Sequence, residues 1–91
     1  MPYIQKKDRE ALEPSLTELT CQLNDKPGEL NYLITRLVKQ FLTVRFCRTG
    51  NIGYTDLNEV YGVLMAAAAE FYRRKVVPYE ETKIKENGDV Y

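Results

Sequence analysis

The side chains best suited to bind a ligand are tyrosines, arginines and one asparagine, which occur in two short stretches of the chain. Guanidinium groups bind phosphate through paired N–H donors, tyrosine rings stack on nucleobases, and an asparagine amide supplies shorter hydrogen bonds. The two stretches, residues 31–36 and 72–74, meet if a predicted second helix over residues 29–44 runs antiparallel to a predicted central helix over residues 55–77. The sequence therefore predicts a site for a small anionic, nucleotide-like ligand. Its residues are Asn31, Tyr32, Arg36, Tyr72, Arg73 and Arg74.

The same residues have simpler structural interpretations. Arg73, Arg74 and Lys75 form a run typical of a solvated helix end, where cations offset the negative end of the helix dipole. Glu70 precedes the two arginines by three and four positions, so an ion pair within the helix can occupy either of them. Asn31 is of a type common near a helix start. A ligand site and a solvated helix end therefore stay open as alternatives.

Residue types that support catalysis are scarce. The chain has no histidine to act as a base near neutral pH, and no Gly-rich phosphate loop. Cys21 and Cys47 are not spaced as metal ligands, and we expect them to be free, buried thiols, with one disulfide between them as the alternative. Glu59 and Glu70 are eleven residues apart on one predicted helix. That separation is roughly 16 Å, too far for a pair of catalytic carboxylates. The sequence predicts a non-enzymatic protein with no cofactor and no metal site.

Composition narrows the class of partner. The 91 residues include thirteen basic and thirteen acidic side chains, which cancel, so no net field draws the protein to nucleic acid or membrane. Four basic residues between positions 36 and 48 are weak evidence for a nucleic-acid contact. The N-terminal residues lack the apolar segment of a signal peptide, and no segment approaches the roughly 20 apolar residues of a membrane span. We expect a cytoplasmic protein with no membrane partner.

The element that must position the candidate residues is a predicted central helix over residues 55–77. Thr55 is its expected N-cap, and Pro78 is expected to follow its end. One face is apolar, with side chains at helical spacing: Leu57, Tyr61, Leu64, Ala68 and Phe71. A second stripe consists mostly of small residues: Asn58, Gly62, Met65, Ala66, Ala69 and Arg73.

Small residues on a helix let another backbone approach closely. The second stripe indicates either tight packing inside one bundle or a seam between subunits, and seven tyrosines favour an interaction surface. A tail at residues 87–91 would be ordered only if a groove, such as a neighbouring subunit's, accepts it. The sequence therefore predicts a homo-oligomer. Its expected interface residues are Asn58, Gly62, Ala66, Ala69, Tyr79 and Tyr91.

Shorter elements surround the central helix. Asp8 is expected to cap a brief helical turn, and Pro14 to open a separate first helix. A second strong helix is predicted over residues 29–44, and a last short one from about Tyr79 to Glu86. The sequence predicts an all-α fold, a single domain over residues 1–91 with a short N-terminal arm at 1–7. Its architecture is expected to be a compact bundle of three main antiparallel helices with short terminal helices.

Several segments carry a resemblance to a known group of proteins. They read MPYI, GELNYLITRL, NEVYGVL and EFYRRKVVPYEETKIKENGDVY, and they span nearly the whole chain. Together they resemble a family of small uncharacterised proteins of similar length, encoded by bacteriophages and by bacterial and metagenomic sequences. Where the family commonly has an acidic residue after Gly62-Val63-Leu64, this chain has Met65-Ala66. The resemblance implies a compact helical fold and a phage-associated origin, and it implies no activity.

These observations give two functional hypotheses. The first is a non-enzymatic, self-associating binding module that holds a nucleotide-like signal, which would let a phage counter a host defence from the host cytoplasm. The second is a protein-interaction module that binds a host or phage protein through the small-residue stripe and the C-terminal tail. Salt separates them, because anion binding by arginines weakens as ionic strength rises and an apolar helix seam does not.

Overall fold

A computed structural model describes residues 3–91 of the chain. Its elements, in order, are α1 (Lys6–Thr20), α2 (Pro27–Thr49), α3 (Tyr54–Phe71), a π-helical turn (Tyr72–Val76) and α4 (Val77–Asn87). The described residues contain no β-strand. The predicted all-α class is confirmed.

Helix α1 is one continuous helix. It begins at Lys6, after Gln5 in extended conformation, and it passes through Pro14 without a break. The predicted separate turn before a helix opening at Pro14 is therefore wrong. A proline within a helix removes one backbone hydrogen bond and crowds the carbonyl four residues back, and the remaining bonds of α1 carry the helix across that position.

Helix α2 extends beyond the predicted 29–44 at both ends. Pro27 occupies its first position, where the missing N–H would have had no partner within the helix. Just before it, the backbone N–H and the side-chain amide of Asn24 both donate to the Glu29 carboxylate, at 2.5 and 3.0 Å. Gly50 ends the helix in the left-handed region, at φ 78°, and its N–H donates to Phe46 O at 2.7 Å.

Helix α3 begins one residue earlier than predicted. The residue before its first position is Gly53, not Thr55, and the Gly53 N–H donates to the Asp56 carboxylate at 2.8 Å. The acidic side chain at the third helical position thus reaches back to the entering backbone, as in one half of a capping box.

The predicted helix end before Pro78 is wrong, because α3, the π turn and α4 form one continuous helix of 34 residues. Pro78 has no N–H to give to a preceding carbonyl, and its ring crowds the turn before it. A widened turn accommodates the proline ring within the helix. In this turn the Val77 N–H donates to Tyr72 O, five residues back. Arg73 and Arg74 therefore lie inside a long helix and not at a helix end.

Contacts between backbone positions divide the chain into two units, the first ending at Gln40 and the second covering Phe41–Tyr91. In the first unit a cavity of about 220 Å³ lies against both α1 and α2, lined by Leu19, Gln22, Leu23, Glu29, Tyr32 and Leu33. In the second, Arg45 of α2 binds the first turns of α3.

No residue in the described range 3–91 is buried. The apolar faces that a bundle would cover are open in the single chain, including Leu57, Tyr61 and Phe71 of α3. Cys21 and Cys47 are free, as expected, but exposed, so their predicted burial is wrong. The chain by itself has no hydrophobic core among these residues.

Candidate functional site

Two of the predicted ligand-binding arginines lie side by side on the π turn. The Glu70 carboxylate, at the end of α3, pairs with both: one oxygen contacts Arg73 Nη2 and the other lies 2.6 Å from Arg74 Nε. The two arginine side chains are 67% and 62% exposed. One carboxylate therefore holds two guanidinium groups at the surface and neutralises the charge of only one. This arrangement leaves a cationic spot of the kind that binds a phosphate or carboxylate.

Tyr72 begins the same turn, and its ring is half exposed. Its hydroxyl donates to Glu80 Oε1 at 3.0 Å, eight residues along the chain. This hydrogen bond, together with the negative charge of Glu80 and partial desolvation, raises the pKa of Tyr72 above its usual value. The hydroxyl is therefore held as a neutral donor to Glu80.

The other predicted ligand residues lie on α2 in the first unit. Arg36 Nη1 donates to the Tyr32 hydroxyl at 3.0 Å, and the guanidinium carbon lies 5.9 Å from the centroid of the Tyr32 ring. Asn31 is exposed on the same helix. Tyr32 and Arg36 thus form a local pair. Their apposition to the π turn, which lies in the other unit, stays a prediction.

The predicted interface residues of α3 are all exposed: Asn58, Gly62, Ala66 and Ala69. On α4, Lys83 Nζ lies 5.5 Å from the centroid of the exposed Tyr79 ring. Tyr91 is fully exposed, and its backbone N–H donates to Asp89 Oδ1 at 2.9 Å. A cavity of about 320 Å³ lies between α4 and the residues that follow it, from Gly88 onward.

Sequence reasoning missed the strongest charge cluster of the second unit. Arg45 Nη1 lies 2.8 Å from Asp56 Oδ1 and 2.7 Å from Glu59 Oε2, and its guanidinium stacks over the Phe41 ring at 4.9 Å. The side chains of Arg45 and Asp56 are each only 20% exposed. This cluster fixes the corner between α2 and α3. The sequence contains one signal for this cluster. A cation, Arg45, lies shortly before the loop, and two acids, Asp56 and Glu59, follow it.

Both partners of this ion pair are shifted toward their charged forms. The Gly53 N–H and then the Arg45 guanidinium lower the pKa of Asp56 below its usual range. Hydrogen bonds from Arg45 to the two carboxylates raise the pKa of the guanidinium. The Arg45–Asp56 pair is therefore ionised across the physiological range, and it stabilises the corner between α2 and α3.

Among residues 3–91 no group of acidic or cysteine side chains is arranged to hold a metal ion. Across the same range, no helix has both the length and the apolar character needed to cross a membrane.

Residues 1–90 match the sequence model of the family described as a domain of unknown function, DUF6899. The chain belongs to this family. No curated protein and no solved structure matches it.

Proposed function

We propose that this DUF6899 protein is a non-enzymatic helical binding module that works as a self-associated assembly and binds a small anionic ligand. The observation that carries the proposal is the exposure of apolar side chains along every main helix while no described residue is buried. The arginine pair beside Tyr72 supplies the candidate anion contacts.

Self-association follows from the energetics of folding. Ordering the backbone costs about 1–2 kcal/mol per residue, and burial of apolar area is the main term that offsets this cost. In the single chain, residues such as Leu57, Leu64 and Phe71 stay 40–61% exposed. The chain by itself therefore gains little stabilisation from apolar burial. Covering these faces with further copies supplies the missing burial.

The nucleotide-like ligand is proposed from the chemistry of the exposed arginines. Arg73 and Arg74 share one carboxylate, so an incoming phosphate can replace Glu70 on either guanidinium with paired hydrogen bonds. Tyr72 lies next to them with half of its ring open to stacking. The resemblance to phage-encoded proteins extends the proposal to a role: holding a nucleotide signal in the host cytoplasm would counter a host defence.

Native mass spectrometry of protein purified at low salt tests both parts. We expect an oligomer that carries extra mass matching a nucleotide. A monomer at micromolar concentration would contradict self-association, and an oligomer that neither carries nor takes up any nucleotide would contradict the ligand.

Calorimetric titration with a panel of nucleotides then tests the site. We expect Arg73→Ala and Arg74→Ala each to weaken binding about tenfold, the loss typical of one charge-assisted hydrogen bond. Lys85→Ala is the matched control, because it removes one cation from α4 outside the site. Unchanged binding in both arginine variants would remove this site from the proposal.

Binding of a host or phage protein is the second candidate, favoured by the nearly full exposure of Val90 and Tyr91 beyond α4. In that case the small-residue face and this tail contact the partner. Raising salt from 0.05 to about 0.5 M discriminates, because nucleotide binding should weaken markedly and an apolar protein contact should persist.

A further inference from the structure

We propose that α3 pairs with α3 of a second copy in antiparallel orientation, about a two-fold axis close to Ala66, so that Glu59 of each copy meets Arg73 of the other. The proposal rests on the self-association proposed above, and it deepens it by naming the face, the direction and the ion pairs.

The face is defined by five residues of the long helix at spacings of three, four, three and four: Glu59, Gly62, Ala66, Ala69 and Arg73. This spacing is the seam of a two-helix coil. Val63 and Met65, on either side of the seam, are 67% and 56% exposed. The face is therefore open, and its rims offer apolar side chains to a neighbouring helix.

Gly62 provides independent support for a close neighbour. Glycine within a helix is about 1 kcal/mol less favourable than alanine. Its backbone has no positive φ that would require glycine, and a Cβ added to it would meet nothing within 4 Å. Nothing in its own chain therefore accounts for the glycine. A second backbone approaching at this point does.

Charge at the two ends of the face selects the direction. At one end Arg45 binds two carboxylates, Asp56 and Glu59, and the positive charge of Arg48 also acts on Asp56, so the charges of this cluster cancel. At the other end Glu70 serves two arginines, so that cluster has one surplus positive charge. Parallel pairing would place the two cationic arginine clusters against each other, and they would repel. Antiparallel pairing separates these clusters and sets Arg73 of each copy against Glu59 of the other, twice in a symmetric dimer.

The positions of Glu59 and Arg73 along the helix are consistent with a single two-fold axis. Glu59 and Arg73 each lie seven residues from Ala66, about 10.5 Å along the helix on either side. They are 52% and 67% exposed, so both remain reachable despite their partners within the chain. A two-fold axis near Ala66 sets the smallest residues at the closest approach.

Disulfide trapping tests the direction, in a background of Cys21→Ser with Cys47→Ser to remove the free thiols. We expect Glu59→Cys chains mixed with Arg73→Cys chains to cross-link under mild oxidation, and Glu59→Cys chains alone not to do so. Efficient cross-linking of Glu59→Cys alone would indicate parallel pairing and overturn the proposal. No cross-link in the mixture would also overturn it.

Charge reversal tests the ion pairs independently. We expect Arg73→Glu to raise the dissociation constant of the assembly about tenfold, and Arg73→Glu combined with Glu59→Arg to restore it to within about threefold. Lys85→Glu is the matched control, because it reverses one cation of α4 outside both the α3 face and the arginine pair. An equal loss in both single variants, or no recovery in the double variant, would overturn the pairing.

The outcomes separate the two levels of the proposal. A native chain that stays monomeric removes self-association altogether. A native chain that assembles, while its cross-links or charge variants behave as in the contrary outcomes above, removes only the antiparallel α3 pairing.

Discussion

Asp56 carries two interactions that hold the corner between α2 and α3. It accepts the Gly53 N–H at 2.8 Å and binds the Arg45 guanidinium at 2.8 Å, and both favour the charged carboxylate. Its pKa is therefore lower in the folded chain than in the unfolded one. A carboxyl of this kind contributes its stabilisation above the unfolded pKa, about 3.9, and loses it as the pH falls toward the folded pKa.

We therefore expect acid to destabilise the native chain more than the Asp56→Asn variant. The melting temperature followed by circular dichroism should fall between pH 6 and pH 3 in both, with the smaller fall in Asp56→Asn. Glu29→Gln is the comparison from the first unit, because hydrogen bonds from Asn24 lower the pKa of Glu29. Loss of the Glu29 charge removes a different part of the acid destabilisation from the loss of the Asp56 charge. Identical pH profiles for native and Asp56→Asn chains would contradict the assignment.

Tyr72 offers a second residue-scale prediction. Glu80 accepts its hydroxyl and places a negative charge beside it, which opposes formation of the phenolate and raises its pKa. In Glu80→Gln we expect the pKa of Tyr72 to fall back toward its ordinary value, about 10. Ring-labelled NMR titration would resolve it from the other six tyrosines. An unchanged pKa of Tyr72 in Glu80→Gln would contradict the contact.

At the scale of elements, the π turn explains how one helix passes through Pro78. It also determines which side chains share a face. Eight residues of regular α-helix place Tyr72 and Glu80 about 80° apart around the axis, whereas one extra residue in a wide turn brings them back into line. Their 3.0 Å hydrogen bond therefore depends on the π turn.

Replacing Pro78 by alanine should convert this turn toward regular α-helix. Alanine restores the missing N–H donor, so we expect the free energy of unfolding to rise by about 1–3 kcal/mol. We also expect Tyr72 to lose its raised pKa, because Glu80 rotates away. Chemical denaturation and the same NMR titration measure the two effects. Pro14→Ala is the matched control, since it should stabilise α1 and leave Tyr72 unchanged. A Tyr72 pKa that survives Pro78→Ala would contradict the proposed role of the turn.

What the sequence could predict at this scale follows from local physics. Apolar spacing predicts α2 and α3, the break before Pro27 separates α1 from α2, and the break at Gly50 separates α2 from α3, because those signals lie within a few residues. The helix boundaries predicted at Pro14 and Pro78 are wrong, because continuation of a helix through a proline depends on the balance of neighbouring turns. The Arg45 cluster spans eleven to fourteen residues across a loop, and helical spacing says nothing about such contacts.

At the scale of the whole molecule, folding and assembly should be one process. Since no residue in the described chain is buried, the proposed self-association would supply the stabilising burial, and stability would then depend on concentration. A hundredfold dilution lowers the free energy of unfolding of an assembly by about 2.7 kcal/mol. In a domain of this size that change lowers the melting temperature by on the order of 10 °C.

Two neighbouring alanines of α3 make this prediction specific to one surface. Ala66 and Ala67 are both exposed and differ by about 100° around the helix, so a bulky charge at each tests one face against the next. We expect Ala66→Arg to yield a monomer without a cooperative thermal transition, since the charge lies at the closest approach of two copies and the single chain buries none of the described residues. Ala67→Arg should keep the assembly and its dependence on concentration. Equal disruption by both would mean that α3 is covered on more than one side, and a concentration-independent native chain would show that burial between copies does not stabilise the fold.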